Sequence, residues 1–152
     1  MKKFMSVLLV LAMALALVAC GSSKTPAAKA ENALLDADGN PFHVGIVTGS
    51  VSQSEDDRRG AEAFQAMYGE ENVTLAIYPD NFTEELETTI QTIVNLSDDP
   101  EMKAIVVNQA VPGTTEAFRQ IKERRPDIIC IAGESHEDLP EIGSAADLTC
   151  NN

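Results

Sequence analysis

The chain has 152 residues, of which 44% are hydrophobic and 23% are charged, and its formal net charge is −13 at pH 7. This length fits one domain of roughly 100 to 200 residues, and the composition is that of a globular chain and not of a disordered one. The negative charge would repel a phosphate backbone, which argues against nucleic acid as a partner.

The N-terminus has the pattern of an export signal. A basic start, "MKK", precedes the apolar run "MSVLLVLAMALALVA", which is shorter than the roughly 20 residues that span a membrane. The next motif, "LVAC", resembles the bacterial lipobox, in which the peptide is cut before the cysteine and the cysteine carries a lipid. The resemblance implies a lipoprotein signal peptide over residues 1–19 and a lipid on Cys20. The alternatives are a plain secretory signal and a buried helix.

The segment after Cys20 has the composition of a linker. Residues 21–41 are rich in Ser, Ala, Gly, Pro and charge and show no sustained period, so residues 20–41 are predicted to form a lipid-anchored flexible tether. Such a tether reaches about 25 Å, which clears lipid headgroups. The folded part is then expected outside the cytoplasmic membrane, on the cell surface or in a periplasm. ATP and reduced nicotinamide cofactors are not expected there, and no cofactor is predicted.

From residue 42 onward, short apolar segments alternate with amphipathic ones. The predicted strands are residues 42–49, 73–78, 104–108 and 128–133, with the start of a fifth at 145–150. Apolar residues at helical spacing lie between them: Ala61, Phe64, Met67 and Tyr68, then Leu86, Ile90, Ile93 and Val94, then Phe118 and Ile121. Ser54 is placed to begin the first helix, Gly69 to end it, and Pro126 to end the third.

Nearly continuous apolar strands that alternate with amphipathic helices indicate a parallel sheet covered on both faces. With right-handed crossovers, the predicted fold is an α/β, open, doubly wound, Rossmann-like sheet in the order 2-1-3-4-5. Residues 42–152 would form one such lobe.

Polar loops follow each of the first four predicted strands, and in such sheets ligands bind beyond the carboxyl ends of the strands. The candidate ligand-binding residues are Thr48, Ser50, Ser52, Gln53, Tyr78, Asp80, Asn81, Asn108 and Gln109, with Phe82 as a further wall. Amides and hydroxyls suit recognition of a small polar solute through hydrogen bonds. The alternative is ordinary turn chemistry, with Ser54, Asn81 and Thr83 acting as helix N-caps.

Patterns typical of enzymes are absent from the sequence. It contains no Gly-x-Ser-x-Gly, Walker or His-Glu-x-x-His motif and no paired cysteines at zinc spacing. A phosphorelay receiver needs acidic residues after strand 1 and an Asp after strand 3, where this chain has Thr48, Gly49 and Asn108. We therefore predict no catalytic residue and no enzymatic activity.

The histidines and two of the cysteines are also weak candidates for chemistry. His43 and His136 fall at opposite ends of their strands, so a shared metal site is not predicted. A cation site at His136 with Glu134, Glu137 and Asp138 is the alternative to a solvated acidic loop, which we favour. For Cys130 and Cys150 a disulfide is the alternative to a buried apolar Cys130.

Four blocks in order, "GIVTGSVSQSEDD", "YPDNFTEELETTI", "AIVVNQAVPGT" and "DIICIAGESHED", resemble an uncharacterised bacterial family of exported lipoproteins classed as a domain of unknown function. That family is similar to type I periplasmic substrate-binding proteins. The resemblance implies two Rossmann-like lobes with a ligand between them, delivered to an ABC-type permease or sensed by a receptor. Members of the family are about twice as long, so the chain is expected to be a truncated form with an incomplete N-terminal lobe.

The function expected from these observations is a lipid-anchored, extracytoplasmic solute-binding component of an ABC-type transporter or sensor, without catalysis. The alternatives are a structural or protein-interaction surface lipoprotein and a non-functional truncated fragment. The expected partners are a small polar solute, the membrane through the lipid on Cys20, and a permease or receptor.

Overall fold

The computed structural model describes residues 33–150, which form a five-stranded sheet with helices on both faces. The strands are β1 (His43–Thr48), β2 (Val73–Ile77), β3 (Met102–Ala110), β4 (Ile129–Ser135) and β5 (Leu148–Thr149). The helices are α1 (Glu55–Tyr68), α2 (Leu86–Val94), α3 (Thr114–Arg124) and α4 (Leu139–Ala145), and the 3-10 turn Asn95–Asp98 follows α2. The predicted signal peptide, the lipid site Cys20 and most of the predicted tether lie outside the described residues.

The strand order is β2-β1-β3-β4-β5, and all four neighbouring pairs are parallel. The predicted Rossmann-like, doubly wound sheet is confirmed, including its order. The chain runs outward from β1 to β2 and then crosses back to β3. The direction in which successive strands are added to the sheet thus reverses between β1 and β3. The loops that leave the carboxyl ends of these two strands therefore run in opposite directions along the sheet.

The larger core lies between the sheet and α2, α3 and α4. Val47, Ile105, Val107 and Cys130 point to this side, and they pack against a set of fully or nearly fully buried helix residues: Ile90, Ile93, Phe118, Ile121 and Ile142. The smaller core lies under α1, where Val44, Ile46 and Val73 pack with Ala61. Alternate residues of each strand thus serve opposite faces.

Several local predictions need correction. Met67 and Leu86 were expected in the apolar stripes of their helices, but their exposed fractions are 55% and 43%. The helix α2 starts at Leu86 with Glu85 at its N-cap, so Asn81 and Thr83 are not its caps. Ser54 does stand at the N-cap of α1, but its hydroxyl makes no cap bond to the backbone.

The two described cysteines are both free. In the β4–β5 register, Ala132 lies beside Thr149. Cys150 therefore lies further toward the carboxyl edge of the sheet than Cys130, which makes a disulfide between them unfavourable. Cys130 is fully buried, so the sequence preference for a buried apolar role agrees with its position. Within residues 33–150, no helix is long and apolar enough to cross a membrane.

Candidate functional site

The loop after β1 is held in shape by its own side chains. The hydroxyl of Thr48, which is 2% exposed, donates to the carbonyl of Gly49 at 3.0 Å. The hydroxyls of Ser50 and Ser52 are 2.6 Å apart. A Cβ at Gly49 would lie 2.6 Å from Gln53 Oε1 and 3.0 Å from the Tyr78 hydroxyl. Glycine is therefore the residue that lets Gln53 and Tyr78 approach this turn.

The loops after β1 and β2 are joined directly. Gln53 Nε2 donates to the backbone carbonyl of Asp80 at 2.8 Å, and the Ser52 hydroxyl donates to Asp80 Oδ2 at 3.4 Å. The side chains of Ser52, Gln53 and Asp80 are all exposed. They form a polar rim that can still exchange hydrogen bonds with a solute.

Beneath this rim lies a chain of hydrogen bonds that connects the ends of three elements. The Tyr78 hydroxyl donates to Gln109 Oε1 at 3.4 Å, and Gln109 Nε2 donates to Asp57 Oδ2 at 2.9 Å. The Ser54 hydroxyl donates to the same Asp57 oxygen at 2.6 Å. This network of Tyr78, Gln109, Asp57 and Ser54 fixes the end of β3 to the start of α1.

Burial and a neighbouring charge favour the protonated form of the Tyr78 phenol. Tyr78 is 1% exposed, and burial, followed by the negative charge of Asp57, raises the pKa of Tyr78 above its ordinary 10.0. The phenol therefore stays neutral and keeps its donor proton at physiological pH. Its ring meets Phe82 edge-on at a centroid distance of 5.7 Å. Tyr78 thus supports the site from below and does not stand in it as an open wall.

Two predicted site residues take no part in these hydrogen bonds. Asn108, one residue before Gln109, lines a groove on the α1 side of the sheet that Asp57 also lines. Asn81 is exposed, and its backbone carbonyl accepts bonds from the amides of Glu84 and Glu85, both at 2.8 Å. Among residues 33–150, no hydrogen bond is made by the side chain of Asn81. The structure thus brings together Thr48, Ser50, Ser52, Gln53, Tyr78, Asp80 and Gln109.

Asp57 is a member of the site that the sequence analysis did not select. In the sequence it is one of three acidic residues in the first turn of the first helix, where negative charge is favourable near the N-terminus of a helix. Its position three residues after the N-cap Ser54 was the available signal, because a side chain there points back over the first turn. No sequence pattern linked it to Gln109, which is 52 positions away.

The acidic loop after β4 has a structural role. Glu137 accepts bonds from the backbone amides of Gly113 and Thr115 at 2.9 and 2.8 Å and from the Thr115 hydroxyl at 2.7 Å. Its carboxylate thus accepts hydrogen bonds from otherwise unpaired amides at the start of α3. Glu137 is one of the ligands of the alternative cation site at His136, and its oxygens are already engaged in these bonds. In the part of the chain that the structure describes, no group of three or more His, Cys, Asp or Glu residues could hold a metal ion.

His43 lies at the amino edge of the sheet, away from the polar loops. Its Nδ1 bonds Asp99 Oδ2 at 2.5 Å, and its Nε2 lies 3.3 Å from Glu101 Oε2. The two histidines are therefore on opposite edges, as their strand positions predicted, because His136 follows β4 at the carboxyl edge.

Residues 42–152 match the model of a family described as "Protein of unknown function (DUF3798)". An "Uncharacterized protein" of Treponema pallidum (strain Nichols) is 33% identical over 117 residues, which are 73% of this chain and 53% of that relative. A second "Uncharacterized protein" from the same organism is 47% identical over 53 residues, which are 35% of this chain and 24% of that relative.

A crystal structure from Clostridium difficile 630, described as that of a "Putative transcriptional regulator", superimposes with a TM-score of 0.64 at 31% identity. The superposition covers 70% of this chain and 32% of that one. The chain thus spans about half the length, or less, of the relatives it matches. The predicted membership in a family of unknown function is confirmed: the chain belongs to the DUF3798 family.

Proposed function

We propose that the protein is a lipid-anchored, extracytoplasmic solute-binding component of an ABC-type transporter or sensor, and that it performs no catalysis. The observation that carries the proposal is the meeting of the loops after β1 and β2 with the end of β3. They meet at the carboxyl edge, where the strand order reverses. Open parallel sheets bind ligands at this point.

The chemistry of the edge suits a small polar solute. Ser52 and Gln53 offer an exposed hydroxyl and amide, and Asp80 offers an exposed carboxylate; polar groups of this kind orient a ligand through hydrogen bonds. The network of Tyr78, Gln109, Asp57 and Ser54 holds the floor in one arrangement. A rigid floor reduces the ordering that binding requires and so favours affinity.

The proposed location and partners depend on the N-terminal sequence. The lipobox-like "LVAC" and the linker composition of residues 21–41 support a lipid on Cys20 and a site outside the cytoplasmic membrane. The description of the structural neighbour as a transcriptional regulator does not favour DNA contact by this chain. Its net charge of −13 opposes binding to a phosphate backbone.

A thermal-shift screen of the native, detergent-extracted protein against sugars, amino acids, nucleosides and polyols tests solute binding. A bound solute at about 100 times its Kd stabilises the folded state by about 2.7 kcal/mol. Gln53→Ala and Asp80→Ala should reduce the shift. Gln91→Ala, a control on the exposed side of α2, should leave it unchanged, because within residues 33–150 the Gln91 side chain bonds only Glu87. A screen without any shift would favour the protein-interaction alternative.

The lipid is tested separately by the intact mass of the same membrane extract. A mass that corresponds to a chain starting at a lipid-modified Cys20 supports the anchor. A chain that retains residues 1–19, or that starts at an unmodified residue, contradicts it. The outcome for the anchor is independent of the solute screen.

A further inference from the structure

The chain folds back on itself directly before β1. The backbone amide of Phe42 donates to the carbonyl of Leu34 at 3.1 Å, and Leu35 forms an antiparallel bridge with Pro41. Residues 34–42, the hook, therefore form a short turn of fixed shape at the point where the chain enters the sheet. The hook overlaps the last residues of the predicted tether.

One carboxylate closes the turn of the hook. Asp36 Oδ1 accepts hydrogen bonds from the backbone amides of Asp38 and Asn40 at 2.9 and 2.8 Å. Gly39 completes the turn with a φ of 83°, a conformation that favours glycine. Within residues 33–150 the side chain of Asp38 makes no hydrogen bond, so Asp36 is the acidic residue that holds this turn.

The hook packs against the amino end of the smaller core. Leu34 and Phe42 are half-buried against the cluster that contains Val44 and Val73, and so is Tyr68. Tyr68 is the last residue of α1, which begins after the carboxyl end of β1 and runs back toward the amino edge. The hook therefore joins the domain at the amino edge of the sheet, at the opposite end from the polar loops.

We propose that the hook turns the amino edge of the sheet toward the membrane and the polar loops of the carboxyl edge away from it. This orientation rests on the proposed lipid on Cys20. Residues 21–32 separate this cysteine from the described part of the chain, and a linker of that length spans about 20 Å on average. The strand β3 alone, with nine residues, is about 30 Å long. The carboxyl edge is thus held further from the lipid than the amino edge.

The distribution of charge favours the same orientation. The loops after the first four strands, residues 49–54, 78–85, 111–113 and 136–138, contain no Lys or Arg. The same loops contain five carboxylates: Asp80, Glu84, Glu85, Glu137 and Asp138. Four basic side chains lie instead near the amino edge, where each forms a salt bridge: Lys103, Lys122, Arg124 and Arg125. Anionic lipid headgroups therefore repel the carboxyl edge more strongly than the amino edge.

Energy transfer to a vesicle surface tests the orientation. The lipidated protein is extracted with detergent and inserted into vesicles that carry an acceptor dye on their headgroups. In a Cys150→Ser background, which removes the exposed thiol, a donor dye is attached to a new cysteine at one of two exposed positions. These are Glu71→Cys at the amino edge and Val51→Cys at the carboxyl edge. We expect at least about twofold stronger transfer from residue 71, because the length of a six-residue strand, about 20 Å, separates the two positions.

A matched pair of variants tests the role of the hook. The double variant Leu34→Ser, Asp36→Ala removes the packing of the hook and the carboxylate that closes it, so the difference between the two labels should shrink. The control Leu35→Ser, Asp38→Ala changes an exposed leucine and an aspartate whose side chain makes no hydrogen bond within residues 33–150. The control should keep the difference.

Equal transfer from residues 51 and 71 in protein with an intact hook would overturn the orientation. An undiminished difference in the Leu34→Ser, Asp36→Ala protein would overturn the role of the hook. Vesicle binding that Cys20→Ser leaves unchanged would overturn the proposed anchor, and the orientation with it. The Cys20→Ser control therefore distinguishes a wrong anchor from a wrong orientation.

Discussion

Gln109 at the end of β3 and Asp57 in the first turn of α1 are joined by a hydrogen bond of 2.9 Å between Nε2 and Oδ2. The amide of Gln109 is used twice, because its Oε1 also accepts from the Tyr78 hydroxyl. The ends of β2 and β3, which flank β1, are thus tied to the start of α1 at the carboxyl edge of the sheet. The arrangement gives the polar loops above it a fixed base.

Replacement of Gln109 should destabilise the fold. Gln109→Leu removes a partner from the buried Tyr78 hydroxyl and from the part-buried Asp57. We expect the free energy of unfolding to fall by about 1–3 kcal/mol, the usual effect of an unpaired buried polar group. Urea unfolding measures the change. Gln91→Leu, at an exposed position of α2, should stay within about 0.5 kcal/mol of the wild type, and an equally small effect of Gln109→Leu would contradict the network.

Gly133 in β4 should tolerate no side chain. An added Cβ would lie 2.0 Å from the backbone carbonyl oxygen of Asn108, so β3 and β4 would have to move apart. Gly133→Ala is expected to lower the free energy of unfolding by at least about 1–3 kcal/mol. Gly143→Ala, in α4 with open space around the new methyl group, should raise it by about 0.5–1 kcal/mol. Chemical denaturation of both variants checks the contrast, and equal effects would contradict the close approach.

The amino edge should make stability sensitive to acid. Burial acts to raise the pKa of Asp99, but hydrogen bonds from His43 and from the Glu101 amide, with the charges of His43 and Arg125, lower it overall below 3.8. A carboxyl with a lowered folded pKa contributes stability above its unfolded pKa and loses it as the pH falls through the folded value. We therefore expect Asp99→Asn to unfold at a lower Tm than the wild type near pH 5.

That difference in Tm should shrink as the pH falls from about 5 to about 2.5. Asp38→Asn is the control, since the exposed Asp38 carboxylate makes no hydrogen bond within residues 33–150. It should have the same Tm as the wild type throughout. A difference between wild type and Asp99→Asn that does not change with pH would contradict the assignment.

The two described cysteines should react very differently with iodoacetamide. Burial, offset in part by Lys122 and reinforced by Asp147, raises the pKa of the Cys130 thiol to about 11, whereas Cys150 is exposed. At about pH 8 the folded protein should be alkylated at Cys150 and spared at Cys130, because the thiolate is the reactive form. Peptide mass spectrometry reads both positions, with unfolded protein as the control. Protection of both residues that a reductant removes would indicate the disulfide instead.

The sheet and its strand order could be predicted because several segments of the sequence indicated the same fold. Several apolar strands alternated with amphipathic segments, and few topologies satisfy short, right-handed crossovers. The helix α4 was not predicted. Its sequence "LPEIGSA" is only seven residues long and contains Gly143, which disfavours a helix interior on average, whereas Pro140 stands in the first turn, where proline is tolerated. Tertiary contact of Ile142, which is 0% exposed, outweighs that preference.

The site was predicted less completely than the sheet. Loops at the carboxyl edge could be chosen from topology alone, and this gave Ser52, Gln53 and Asp80 correctly as neighbours. Topology does not give the direction of a side chain at the end of a strand. Asn108 and Gln109 are adjacent in sequence, yet one lines the α1 groove and the other joins the network under the loops.

The most direct test of the account is a two-dimensional NMR titration of the isotope-labelled protein with a solute that raises its Tm. We predict that the largest shifts fall on the backbone amides of residues 49–54, 78–82 and 109–113, the three loops that meet at the carboxyl edge. Shifts confined to β4 and β5, or spread without relation to these loops, would contradict the proposed solute site.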